Sequence, residues 1–190
     1  MRIVGGTFRG RVLLAPIGKV TRPTADRVRE SLFDILASAA LGEGRAGLVG
    51  VAALDVFAGT GALGFEALSR GAAQVAFIEN DDAALAVIGA NIRKLGVADR
   101  TTLFRLDATR PPKAKSAYGL VMFDAPYRSG LAGPALAALD KAGWIGPAPA
   151  IVVEVAAGEP FAPPGRHFAI TDERKYGAAR LVFLGRTEMT

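Results

Sequence analysis

The sequence predicts a doubly wound α/β sheet, and three observations lead there. Between residues 51 and 155, short apolar runs alternate with segments whose apolar residues recur at helical spacing. The short runs are apolar at successive positions, as strands covered on both faces are. A Gly59-Thr60-Gly61-Ala62-Leu63-Gly64 segment falls where the first run meets the first helix. A chain of 190 residues suits one domain and buries roughly 70% of its unfolded surface without a staple.

The elements follow in order. Met1 to Pro16 alternates around Gly5-Gly6 and Gly10, which predicts two short strands in a small N-terminal hairpin. From Thr24 the spacing becomes helical, with Val28, Leu32, Ile35 and Leu36 on one face and Pro23 at the start. Glycines at 42, 44 and 47 then interrupt the chain. Val51–Phe57 reads as the first sheet strand and Ala62–Ser69 as its helix. Gln74–Glu79 is a strand, and Asp82–Leu95 a helix stopped by Gly96. Thr101–Leu106 and Gly119–Phe123 are strands three and four, Leu131–Lys141 a helix, and Ala150–Val155 a fifth strand. Phe168–Thr171 and Arg180–Leu184 close a seven-stranded, mostly parallel sheet as an antiparallel hairpin. The chain divides into a basic extension over residues 1–23 and a main domain over 24–190.

Charge is unevenly placed. Net charge is +5, from 23 Lys and Arg against 18 Asp and Glu. Arg2, Arg9, Arg11, Lys19 and Arg22 all lie in the first 22 residues, which hold no acid, so the rest of the chain is neutral. A positive patch of this kind suits a polyanion such as nucleic acid. The longest uncharged run, Ala142 to Val153, is interrupted by Gly and Pro, and the basic N-terminus lacks an apolar signal core. A cytoplasmic protein with no membrane partner is expected. There is no cysteine, which excludes disulfides, thiolate zinc sites, iron–sulfur clusters and a thiol nucleophile. The single histidine, His167, stands outside every motif, so no metal site is expected. Trp144 reads as a core residue.

Ligands of doubly wound sheets bind beyond the carboxyl ends of the strands. Asp55 and the glycine loop sit at the end of the first strand, and Glu79 ends the second, 20 residues after Gly59. A carboxylate there can accept both ribose hydroxyls of a nucleoside-containing cofactor. The loop alone admits either NAD or S-adenosylmethionine. Asp55 leans to the latter, because an acid there meets an ammonium group but would repel a pyrophosphate. Strand four ends in Asp124-Ala125-Pro126-Tyr127. Asp124 and the carbonyl of residue 125 can each accept an N–H from an amine on a planar base. Pro126 restricts the residue before it, and Tyr127 can stack on the ring.

Asp124-Ala125-Pro126-Tyr127 is similar to the (Asp/Asn/Ser)-Pro-Pro-(Tyr/Phe/Trp) signature of amino-methyltransferases that use S-adenosylmethionine. Asp55–Gly64 resembles the cofactor loop of the same superfamily. The N-terminal segments Arg2-Ile3-Val4-Gly5-Gly6, Phe8-Arg9-Gly10-Arg11, Thr21-Arg22-Pro23-Thr24 and Asp26-Arg27-Val28-Arg29-Glu30-Ser31-Leu32-Phe33 closely resemble the bacterial RsmD family. So does Phe57 to Gly64, followed by Glu66-Ala67-Leu68-Ser69-Arg70-Gly71-Ala72. The likeness covers nearly the whole chain and weakens after about Gly158. One departure is Ala125, where the family has Pro; a backbone carbonyl remains, but the fixed φ of proline is lost.

The resemblance implies a Rossmann-like methyltransferase fold and methyl transfer from S-adenosyl-L-methionine to the exocyclic N2 amine of a guanine in 16S rRNA, of the guanine-966 type. It implies cofactor contacts from Asp55, Phe57, Gly59, Thr60, Gly61, Glu79, Asn80, Asp107 and Ala108, with Asp107 facing the adenine amine. Asp124, Ala125, Pro126 and Tyr127 would hold the target amine. Arg2, Arg9, Arg11, Lys19, Arg22, Arg27 and Arg29 would face RNA, although Asp107 and Arg29 read equally well as solvated loop and helix charges. The partner would be small-subunit rRNA or the assembled small subunit, the family preferring the particle, and the enzyme a monomer. Without cysteine, covalent C5 methylation and radical methylation fall away, which leaves direct in-line transfer to a flipped base. A DNA amino-methyltransferase, an NAD-dependent dehydrogenase and a non-catalytic RNA-binding factor remain the competing readings.

Overall fold

A computed structural model describes residues 1–15, 23–38 and 47–187, the side chains of 23–25 excepted. Lys19 and Arg22, and the glycines at 42 and 44, lie outside the described residues. After helix α1 (Pro23–Ser38) come β1 (Ala52–Val56), α2 (Ala62–Ser69), β2 (Gln74–Glu79) and α3 (Asp82–Leu95). They are followed by β3 (Thr101–Arg105), β4 (Tyr118–Phe123), α4 (Ala132–Lys141), β5 (Ile145–Ala156), β6 (Phe168–Tyr176) and β7 (Ala179–Arg186). The strands form one seven-stranded sheet in the order β3-β2-β1-β4-β5-β7-β6. Strands β1 to β5 pair in parallel, while β7 runs antiparallel to both β5 and β6. The strand order reverses between β1 and β4, so the crevice for a ligand opens beyond their carboxyl ends.

Two apolar layers cover the sheet. On one face Phe65, Leu68, Phe77 and Ile88 pack with Leu32, Phe33 and Leu36 of α1 and with Ile3 and Leu13 of the N-terminal segment. On the other, Val121, Phe123 and Val153 pack with Leu136 and Leu139 of α4 and with Trp144. The Trp144 indole donates to the Pro112 carbonyl at 2.8 Å, and Phe104 meets its ring edge-on. His167 is exposed.

Three segments differ from the sequence expectation. The N-terminal hairpin has a single bridge, Arg2 to Val12, in place of two strands. Ile3, Gly10 and Leu13 N–H still donate across the hairpin to the carbonyls of Arg11, Ile3 and Met1, and further backbone groups are taken up by side chains of α2 and α3. The Glu66 carboxylate accepts Val4 N–H and Gly5 N–H, both at 2.8 Å, and the Ser69 hydroxyl accepts Phe8 N–H. Strand β5 starts at Ile145, through Pro147 and Pro149, because a register shift opposite Tyr118 and Leu120 removes the ladder bonds those prolines cannot make. Strands β6 and β7 extend through Tyr176 and from Ala179, because charged side chains on an edge strand stay in water while the backbone pairs.

Candidate functional site

Four carboxylates end four consecutive strands of the sheet. In spatial order they are Glu79 on β2, Asp55 on β1, Asp124 after β4 and Glu154 on β5. A cavity of about 470 Å³ lies beyond these strand ends. Asp55, Gly59, Thr60, Asp124 and Glu154 line it, and Met1 with Val28, Arg29 and Leu32 of α1 forms the opposite wall. That volume is within the usual range for a small-molecule site. No group of acids and histidines that could hold a metal ion occurs among the described residues.

The turn from β1 into α2 is built by backbone and carboxylates. Gly59 and Gly61 take left-handed φ of +56° and +78°, and Phe57, though not glycine, takes +61°. Gly61 caps α2 but has no side chain to bind the first-turn N–H groups. Asp55 does so from the strand, its Oδ2 accepting Gly64 N–H at 2.8 Å. Asp55 is 1% exposed. Burial pushes its carboxyl well above the ordinary carboxylate range, against the lowering effect of the Gly64 N–H; Asp124 and Glu79 push it up as well. A cation bound in the cavity would restore its charge.

Glu79 braces the loop from the next strand. Its Oε2 accepts Gly59 N–H at 2.8 Å, and its Oε1 accepts the N–H groups of Asn80 and Asp81 at 2.8 and 3.0 Å. A carboxylate has about four lone-pair sites, so one further donor can be accommodated. Asp81 lines the cavity and caps α3 through Ala84 N–H. Phe57, Gly61, Glu79, Asn80, Asp107 and Ala108 are outside the residues lining the cavity. Asp107 is exposed and closes a turn: its Oδ1 accepts both the hydroxyl and the N–H of Thr109, which lower its pKa. Ala108 is buried in the apolar layer of α4.

At the end of β4, Asp124 and Pro126 are exposed and the Ala125 methyl is buried among apolar neighbours. Tyr127 is 45% exposed, and its hydroxyl donates to Glu154 Oε1 at 2.6 Å. Burial raises the Glu154 carboxyl, while the Tyr127 hydroxyl and the Arg29 charge oppose that shift. Arg128, at φ +60°, donates its N–H to Glu159. Glu154 was not among the sequence-predicted site residues. Within Ile151-Val152-Val153-Glu154-Val155 it reads as one polar position in a strand, and only the neighbouring β4 gives it meaning.

Of the arginines, Arg2, Arg9, Arg11 and Arg27 are exposed. The Arg11 and Arg100 guanidinium groups both lie over the Phe8 ring, at 5.4 and 5.9 Å from its centre. Arg29 corrects the sequence expectation of an outward-facing charge. It is 4% exposed and donates to Asp26 Oδ1 at 2.7 Å and to the Arg2 carbonyl at 2.8 Å, with Glu66 at 3.7 Å. The helix turns it inward beside Val28 and Leu32, and a desolvated cation must be paired.

The match to known proteins is extensive. Residues 1–185 match the model of the family described as Conserved hypothetical protein 95. The chain is 36% identical over 154 residues to Ribosomal RNA small subunit methyltransferase D of Escherichia coli, covering 81% of this chain and 74% of that protein. It is 33% identical over 168 residues to the protein of the same name from Haemophilus influenzae, covering 86% and 83%. A solved structure from Escherichia coli, the presumed methyltransferase yhhF, superposes with a TM-score of 0.83 at 32% identity, covering 100% of this chain and 99% of that one.

Proposed function

The chain belongs to the Conserved hypothetical protein 95 family, the RsmD family of the sequence resemblance, and from that premise we propose that it is an S-adenosylmethionine-dependent methyltransferase of small-subunit rRNA. We assign its target as the exocyclic N2 amine of a guanine, of the guanine-966 type, in an rRNA or small subunit met in the cytoplasm. The observation that supports this best is the shared cavity: Asp55, Gly59 and Thr60 of the cofactor turn and Asp124 of the amine motif line one space.

The residues present fit a cationic cofactor. Four acids, Asp55, Asp81, Asp124 and Glu154, line the cavity, and Asp55 is an uncharged-leaning carboxyl that a neighbouring ammonium would ionise. Gly59 leaves its backbone face open, since a Cβ there would meet nothing nearer than 3.9 Å. S-adenosylmethionine would be held by the turn of Asp55, Gly59 and Thr60, and when bound would supply an electrophilic methyl on its sulfonium, the proton displaced from the amine passing to solvent at the exposed Asp124.

The chain's own part is positioning. Asp124 and the Ala125 carbonyl accept the two amine N–H groups, which draws the lone pair out of the ring and aims it at the methyl. The exposed Tyr127 ring stacks on the flipped base, a contact worth about 1–3 kcal/mol in comparable sites. The extension carrying Arg2, Arg9 and Arg11 holds the RNA backbone.

Transfer of tritiated methyl from the cofactor to small subunits, naked rRNA and duplex DNA tests the substrate, and calorimetry with S-adenosylmethionine and NADH tests the cofactor. Asp124→Ala is expected to abolish transfer with cofactor affinity intact. Unchanged transfer in that variant would remove Asp124 from the mechanism.

A further inference from the structure

Glu154 stands at the junction of two spaces. It lines the 470 Å³ cavity with Asp124, and it also lines an adjoining pocket of about 170 Å³ with Ala125, Pro126, Ser129 and Phe161. The β4–β5 register pairs Phe123 with Val153, so Asp124 and Glu154 occupy the next positions on neighbouring strands, about 4.8 Å apart in the sheet direction. A base offering an amine to Asp124 therefore offers the adjacent atom of the same edge towards Glu154.

What Glu154 can accept is set by its surroundings. The Tyr127 hydroxyl donates to Oε1, which makes the side chain an acceptor there. Burial raises the carboxyl, and the Tyr127 hydroxyl and the Arg29 charge work against that rise. A carboxylate with one oxygen engaged retains lone pairs for an N–H. Beside its exocyclic amine guanine carries a ring N1–H. Beside theirs, adenine and cytosine carry an unprotonated ring nitrogen, which would confront the carboxylate lone pairs.

We propose that Glu154 is the specificity-determining residue of this site, accepting the N1–H of the target guanine while Asp124 accepts an N–H of its N2 amine. This rests on the methyltransferase reading above and names what selects guanine within it. A polar partner left unpaired in a desolvated site is the physical source of large substrate discrimination. Tyr127 then has two tasks: its ring meets the base and its hydroxyl orients the carboxylate.

The test uses small-subunit rRNA rebuilt with either guanine or 2-aminopurine at the methylated position and assembled into subunits. 2-Aminopurine keeps the exocyclic amine and lacks the N1 hydrogen. Wild-type protein is expected to prefer guanine by about 100-fold in kcat/KM, and Glu154→Leu, which fills the space without an acceptor, to compress that preference to within about 3-fold. Tyr127→Phe, which keeps the ring, should lower transfer to both and preserve most of the preference. Equal use of the two bases by the wild type would overturn the proposal without any variant being made. So would an equal loss on both bases in Glu154→Leu, which would leave Glu154 as a prop for Tyr127 alone. A wild type that methylates no position of the subunit is a different result, and it overturns the activity reading itself.

Discussion

Asn91 pairs with the backbone of Leu14 in both directions. Its Oδ1 accepts the Leu14 N–H at 2.8 Å, and its Nδ2 donates to the Leu14 carbonyl at 3.1 Å. The same Nδ2 reaches the carbonyl of Thr60 in the cofactor turn at 3.2 Å. One buried amide on α3 thus ties the N-terminal segment to the loop that lines the cavity.

Asn91→Ala leaves three backbone groups without that partner. These groups are part-buried, so stranding them costs less per group than the about 1–3 kcal/mol of a fully buried one. Chemical denaturation should show a clear loss of stability, and cofactor affinity should fall as well, because Thr60 is released with Leu14. Loss of stability with unaltered cofactor binding would separate the two ends of this link.

Glu66 is the second tie. It is fully buried, accepts two N–H groups of the extension, and faces Arg70 at 2.9 Å and Arg29 at 3.7 Å. Removing one member of a buried charge cluster costs about 3–5 kcal/mol, because its partners stay desolvated. Glu66→Ala should therefore melt well below the parent. Glu66→Gln keeps the acceptor oxygen for one N–H and should fall between the two.

Asp55 makes a prediction with a sign. Its folded-state pKa is raised, so the fold favours the protonated form. Its contribution to stability is full below the unfolded carboxylate pKa and is lost as pH rises through the raised value. Asp55→Asn keeps an acceptor for Gly64 N–H and carries no charge to desolvate. The variant should melt higher than the parent at neutral pH, by roughly 2–4 °C per ~1 kcal/mol recovered, and the difference should vanish in acid. Calorimetry should show weaker S-adenosylmethionine binding in the same variant, since the counter-charge for the ammonium is gone.

Arg9 and Arg11 are exposed on the tip of the extension. Changing both to Glu should weaken RNA binding and reduce the slope of log K against log salt by about one unit for each phosphate that is no longer neutralised. Binding measured across a salt series checks this. A slope equal to that of the parent would show that these arginines do not meet phosphate.

Much of the fold was legible because local signals agreed with the tertiary ones. Helix α3 runs Asp82–Leu95 as the sequence predicts, with Gly96 turning at φ +70° at its end; at its start the structure adds Asp81, which takes Ala84 N–H. Strand ends carrying Asp55 and Asp124 announced the site, since each acid interrupts or follows an apolar run. The hidden parts depend on partners distant in sequence. Nothing in the spacing around Arg29 reports that Glu66 and the Arg2 carbonyl await it. Nothing in Val153-Glu154-Val155 reports Tyr127. The extension reads as two strands because its apolar residues alternate, yet its ladder stops at one bridge, and side chains of α2 and α3 take backbone groups that a longer ladder would have paired.

The clasp on the extension also sets an order of events during synthesis. Val4 and Gly5 wait for a carboxylate made 62 and 61 residues later, and Leu14 for an amide made 77 residues later. This segment is thus seated only after α2 and α3 have emerged from the ribosome. Until then its arginines and its two core residues are held by none of these side chains, and the wall that Met1 contributes to the cavity has yet to close.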